Sequence, residues 1–161
     1  MKMIKKGFII FVLTIVAFTV VGCSIRGLTS PNIEGEKKSK ELLQYLNDDD
    51  AKGLKSMFCN KTKSSPELDK QIKEVMGFFE GKITSKDPDI QTSSGSLREG
   101  KTNLLDIGPY IKDIVTDAGK TYTIRFSSYL INSEDEDKVG ISVLTIKSDD
   151  GKECIVGEYI K

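Results

Sequence analysis

The spacing of hydrophobic positions changes twice along the chain, and each change marks a different kind of segment. From Gly7 to Val21 no charge interrupts the run, and the residues before it carry Lys2, Lys5 and Lys6. A helix of those 15 residues would rise only about 22 Å, short of the roughly 30 Å hydrocarbon core of a bilayer. A basic start and an apolar stretch of that length make a secretory signal. Between 36 and 80 the spacing becomes helical. Leu42, Leu43 and Leu46 predict a helix over 36–47. Leu54, Met57 and Phe58 predict a second over 50–59, with Asp48-Asp49-Asp50 ending the first and capping the second. Leu68, Ile72, Val75, Met76 and Phe79 predict a third over 66–80. Ser64 and Glu67 form a capping-box pattern at its start, with Pro66 in the first turn and Gly81 as a C′ stop.

After Gly81 the period becomes 2, and six strands are predicted over 82–86, 90–98, 103–116, 121–132, 138–148 and 153–160. Asp117-Ala118-Gly119-Lys120 and Asp149-Asp150-Gly151-Lys152 read as hairpin turns, and 133–137 as a longer polar loop. From Thr121 onward, Tyr122, Ile124, Phe126 and Leu130 share one face, while Thr123, Arg125, Ser127 and Tyr129 share the other. The last four strands are expected to form an antiparallel meander. Helices followed by strands give an α+β domain, with three N-terminal helices packed on a curved antiparallel sheet. The segment 23–35, punctuated by Gly, Pro, Ser and Asn, reads as a flexible tether. The chain thus divides into a signal at 1–22, a tether at 23–35 and one domain at 36–161.

At the end of the first apolar run, Val20-Val21-Gly22-Cys23 resembles the lipobox of bacterial lipoproteins. The usual first residue of that motif is Leu, so Val20 departs from it. The resemblance implies diacylglyceryl transfer to the Cys23 sulfur and cleavage between Gly22 and Cys23. The membrane would then be a partner through the attached lipid, since two acyl chains anchor stably where one does not. The alternative is an uncleaved anchor, because no charge appears until Arg26. By the positive-inside rule both readings put residues 27–161 on the extracytoplasmic face of the cell membrane.

Composition narrows the function classes. The 24 basic and 24 acidic side chains balance, and losing the leader's three lysines leaves the exported part at a net charge of −3. That balance disfavours a nucleic-acid partner. With no histidine, Ser-His and Cys-His nucleophiles and the usual zinc ligand sets are ruled out, and no cofactor motif is present. With Cys23 lipidated, Cys59 and Cys154 either form a disulfide or remain as free thiols. A chain long enough to fold unaided favours free thiols buried in one core.

The helix and strand order is similar to the cone-shaped nuclear-transport-factor-2-like (cystatin-like) superfamily. Leu54-Lys55-Ser56-Met57-Phe58-Cys59, Glu67-Leu68-Asp69-Lys70-Gln71-Ile72 and Phe78-Phe79-Glu80-Gly81-Lys82-Ile83 resemble a family of Gram-positive lipoproteins defined only as a domain of unknown function. The resemblance implies a fold and a location, and no catalytic residue. Cone folds place a cavity between sheet and helices, and Tyr110, Arg125 and Tyr129 are candidates for its lining or mouth. The same three residues could instead stand on the outer face of the sheet. Arg125 beside tyrosines suits a carboxylate or an extended peptide. The leading expectation is a non-enzymatic ligand- or protein-binding module. One alternative is an enzyme using Asp106 or Asp113 with Tyr110; another is an accessory or immunity subunit of an exported complex. Whether the space under helix 66–80 is open or packed separates the cavity readings from the surface ones.

Overall fold

The computed structural model describes residues 30–86, 88–95 and 103–160. The leader, with Gly22 and Cys23, lies outside these residues. Among the described residues no helix is long and apolar enough to cross a membrane.

Four helices come first: α1 (Pro31–Asp48), α2 (Ala51–Ser56), α3 (Asn60–Lys63) and α4 (Leu68–Phe78). Five strands follow: β1 (Asp89–Gly95), β2 (Leu104–Val115), β3 (Thr121–Asn132), β4 (Gly140–Ser148) and β5 (Glu153–Gly157). The strands form one open antiparallel sheet in sequence order. Among the described elements the fold is therefore α+β as expected, with helices on one side of the sheet, but with one helix more and one strand fewer.

α1 starts at Pro31, five residues before the predicted start, with the proline in the first turn where its missing N–H costs nothing. Its buried residues, among them Ser39, Leu42, Leu43 and Leu46, lie against β1 and β2. Gly35 lets the helix approach closely, since a Cβ there would sit 2.5 Å from the Thr92 side chain. The acidic triplet works as predicted. Asp49 adopts a left-handed conformation that ends α1, and the Asp50 carboxylate accepts the Gly53 N–H of α2 at 2.8 Å.

The predicted helix over 50–59 is cut short at Ser56 because β4 claims its backbone. Cys59 N–H donates to the Ile141 carbonyl and Ile141 N–H to the Met57 carbonyl, both at 2.9 Å. The chain then makes the short α3. The capping box at Ser64 does not form, because the Ser64 hydroxyl donates to the Lys61 carbonyl at 2.6 Å and closes α3. α4 accordingly begins at Leu68, two residues after Pro66. Gly81 is not its C′ residue either. Phe79 leaves the helix in an extended conformation, and the Tyr122 hydroxyl takes over the helix end. It donates to the Phe78 carbonyl at 3.1 Å and accepts the Glu80 N–H at 2.9 Å.

The predicted strand at 82–86 is absent. Lys82 N–H donates to the Asp117 carboxylate at 2.7 Å and Ile83 N–H to Asn47 Oδ1 at 2.8 Å, so side chains take the donors a ladder would need. What remains is one bridge, Ile83 to Thr116, with Thr84 N–H donating to the Val115 carbonyl and Asp117 N–H to the Lys82 carbonyl. β1 ends at Gly95, and the predicted continuation to 98 lies outside the described residues.

The alternation predicted for β3 holds. Tyr122, Ile124 and Phe126 are buried and Arg125 is exposed. A bulge between Ser127 and Ser128 leaves Ser128 buried and Leu130 half-buried against the core. Ile72, Val75 and Phe79 meet Tyr122, Ile124, Leu144 and Val156 in one continuous core. The Phe79 ring stacks on Tyr122 at 4.6 Å and Phe78 meets it edge-on at 6.0 Å. Met76, predicted on the same stripe, is half-buried at its margin. Cys59 is buried and Cys154 half-buried, and both are free thiols.

Two outcomes test this packing. Ile72→Ala should destabilise the protein by about 2–5 kcal/mol in urea titrations, while Lys70→Ala, exposed on the opposite side of α4, should change stability by less than about 0.5 kcal/mol. Equal costs would show that the stripe is not the core face. Tyr122→Phe keeps both ring contacts and removes the hydroxyl, and should cost about 1–3 kcal/mol through the orphaned Glu80 N–H and Phe78 carbonyl. A variant as stable as the parent would show that the helix end does not depend on this side chain.

Candidate functional site

Side chains fill the space between α4 and the sheet. Ile72, Val75, Tyr122, Ile124, Leu144 and Val156 are each at most 4% exposed there. Tyr110, Arg125 and Tyr129 stand instead on the opposite face of the sheet, which no described helix covers.

The register explains their placement. Ile111 pairs with Ile124 toward the helices, so Tyr110 and its partner Arg125 face outward. One rung crosses all five strands as Gln91, Tyr110, Arg125, Thr145 and Ile155. Within it the Arg125 guanidinium lies 4.8 Å from the centre of the Tyr110 ring, and Lys112 Nζ lies 5.0 Å from the same ring. Such stacking is worth about 0.5–1 kcal/mol at an exposed site and holds the guanidinium plane in place. No carboxylate lies within ion-pair distance of Arg125 or Lys112 among the described residues. The cations therefore keep their donors available to an outside acceptor. Ile155, 47% exposed, adds an apolar end to the rung.

Tyr129 belongs to a different part of the same face. It pairs with Asp106, four residues from Tyr110 along β2, a separation of roughly 13 Å at about 3.3 Å per residue. The structure brings Tyr110 and Arg125 together and leaves Tyr129 apart. Burial raises the Tyr129 phenol above its ordinary pKa of 10.0, with the Asp106 charge and then Tyr159 acting the same way.

The Asp–Tyr constellation considered for catalysis does not converge. Asp113 sits exposed on a β2 bulge in a left-handed conformation, φ 56°. Asp106 lies toward the other end of the strand, opposite Tyr129. Among the described residues no group of three or more histidine, cysteine, aspartate or glutamate side chains is placed to hold a metal ion.

Two surface grooves carry no signal that the sequence pattern could have revealed. One, of about 580 Å³, runs between α1 and the chain just before and at the start of β1, with Leu43, Asn47, Ile83, Lys86, Pro88 and Ile90 among its walls. The other, of about 790 Å³, lies between the α3–α4 turn and the chain after β5, bounded by Lys61, Gln71, Glu158 and Tyr159. Their linings mix polar and apolar residues from segments distant in sequence, so no periodicity marks them.

Residues 41–153 match the family described as Domain of unknown function (DUF5104). The chain belongs to that family. No curated protein matches it.

The tyrosine environment gives a titration test. Tyrosinate absorbance should develop in Tyr129 at a higher pH than in an ordinary tyrosine, so the parent-minus-Tyr129→Phe difference curve should have its midpoint above 10. A phenol whose folded pKa is raised contributes stability at pH below its unfolded value, and that contribution is lost as pH climbs through the folded value. A difference curve centred at or below 10 would contradict the half-buried position beside Asp106.

Proposed function

We propose that this member of the DUF5104 family is a lipid-anchored protein of the extracytoplasmic membrane face that acts by binding a ligand or another protein rather than by turnover. The lipobox-like Val20-Val21-Gly22-Cys23 supports the anchor, and with it come cleavage after Gly22 and acylation of Cys23. The order of helices before an antiparallel sheet supports kinship with the nuclear-transport-factor-2-like folds. In this protein the space beneath α4 is filled, which moves the binding reading to the surface.

The observation that carries the binding half is the Tyr110–Arg125 pair. A guanidinium held over an aromatic ring, on a sheet face that no described helix covers and with no carboxylate partner among the described residues, suits a carboxylate-bearing partner. Thr145 and Ile155 extend the surface on the same rung. An acidic protein or peptide fits this face better than nucleic acid, given the absence of a basic surplus.

The anchor and the surface can be tested in one strain. Labelling with a palmitate analogue should mark the parent and leave Cys23→Ala unlabelled; label on the variant would refute the anchor. A photo-crosslinking residue at Thr145 should capture a discrete partner in cells, and adding Arg125→Ala should reduce that product at least severalfold. Crosslinking indifferent to Arg125 would refute the outer-face reading.

A further inference from the structure

The two outer edges of the sheet differ. At β5, Gly157 N–H donates to Gln71 Oε1 of α4 at 2.9 Å, so a helix side chain attends that edge. β1 pairs with β2 alone. No backbone group of 89–95 has a hydrogen-bond partner on the other side among the described residues. A row of unpaired N–H and C=O groups is a template for another strand, and proteins usually blunt it with lysine, proline, a bulge or a covering element. Asp89-Ile90-Gln91-Thr92-Ser93-Ser94-Gly95 contains neither lysine nor proline, and its seven pairs with β2 run without a register shift.

The 580 Å³ groove opens at this same edge. Pro88 and Ile90 form its sheet side, Leu43 and Asn47 its helix side. A strand added beside β1 would turn alternate side chains toward the helices. One of them would enter the groove and meet Leu43, Ile83 and Ile90. Lys86, exposed at the rim, has no ion-pair partner among the described residues.

We propose that β1 and this groove form a docking site for an extended segment of a partner protein, which adds as a sixth strand, seats one apolar side chain in the groove and sets an acidic one beside Lys86. Backbone hydrogen bonds supply affinity in this mode and the side-chain pocket supplies selectivity. A second copy of the chain fits less well. Its own β1 would offer Gln91, Ser93 and Asp89 outward, while Ile90 and Thr92 are already turned toward α1, so no apolar side chain would be left for the groove. This inference does not rest on the Tyr110–Arg125 reading, because the edge and the outer face are separate surfaces.

The test uses the full-length chain in nanodiscs and a phage library of random nonapeptides. Enriched peptides should share an alternating pattern with one fixed apolar position and an Asp or Glu near it. A synthetic copy should slow amide exchange across 89–95. Gln44→Trp, which fills the groove from an exposed position on α1, should weaken that peptide at least tenfold without lowering the melting temperature. Lys86→Glu should weaken it severalfold, and serves as the check if the tryptophan variant folds poorly. Peptides that bind without slowing exchange in 89–95, or no enrichment over an unrelated protein, would overturn the proposal. So would a free chain whose 89–95 amides are already slow. Slowing that grows with protein concentration would assign the edge to a second copy, and slowing lost on deleting residues 24–29 would assign it to the chain's own tether.

Discussion

The domain is held together at the point where Tyr122 meets the end of α4. A helix leaves its last carbonyls without intrahelical partners, and a following glycine in a left-handed turn is a common remedy. Here the remedy comes from the sheet. The Tyr122 hydroxyl accepts from Glu80 and donates to Phe78, while its ring packs between Phe78 and Phe79. At 1% exposed it is among the largest fully buried side chains. One residue thus finishes a helix, fixes that helix on β3 and fills the space beneath it. The polar tip is satisfied where an unpaired buried hydroxyl would cost a few kcal/mol.

That arrangement separates what was legible in the sequence from what was not. Periodicity found the core stripe of α4 and the inward face of β3, because both depend on side chains alone. The acidic turn at Asp48–Asp50 was legible too, since a short carboxylate caps a neighbouring N–H three residues away. Two of the misreadings concern backbone with distant partners. Ser56 ends α2 because Met57 and Cys59 bond to Ile141, more than 80 residues on. Gly81 looked like a helix stop, but its positive φ serves the chain's passage against Asp117 and Ala118. Ser64 is a local case: it had the right neighbour for a capping box, but its hydroxyl donates to the Lys61 carbonyl three residues back and closes α3. A local pattern cannot register a competitor that arrives through tertiary contact.

The candidate site divides along the same line. Alternation put Arg125 and Tyr129 on one face, and the register confirms that face as the one away from the helices. Alternation could not show that Tyr110 would pair with Arg125 rather than with Tyr129, because that depends on the β2–β3 register and its bulges. A filled interior also changes what those residues can do. In a cavity they would surround a small molecule in low dielectric, where a carboxylate could be tuned for catalysis. On an open sheet they meet water, and the rung from Gln91 to Ile155 presents its side chains side by side across five strands.

The missing strand explains the open edge. Residues 82–86 have the alternation of a strand and precede β1 directly, so a hairpin would have laid them along its outer side. Asn47 and Asp117 intercept their backbone donors first, and Thr84 N–H goes to the Val115 carbonyl at the far end of β2. The segment is thereby fastened beyond the start of β1 instead of beside it. The same fastening leaves Ile83 and Lys86 on the wall of the groove next to Ile90. An edge unpaired among the described residues and an adjoining pocket therefore have one cause: two side chains that win a competition for backbone N–H groups against a sixth strand.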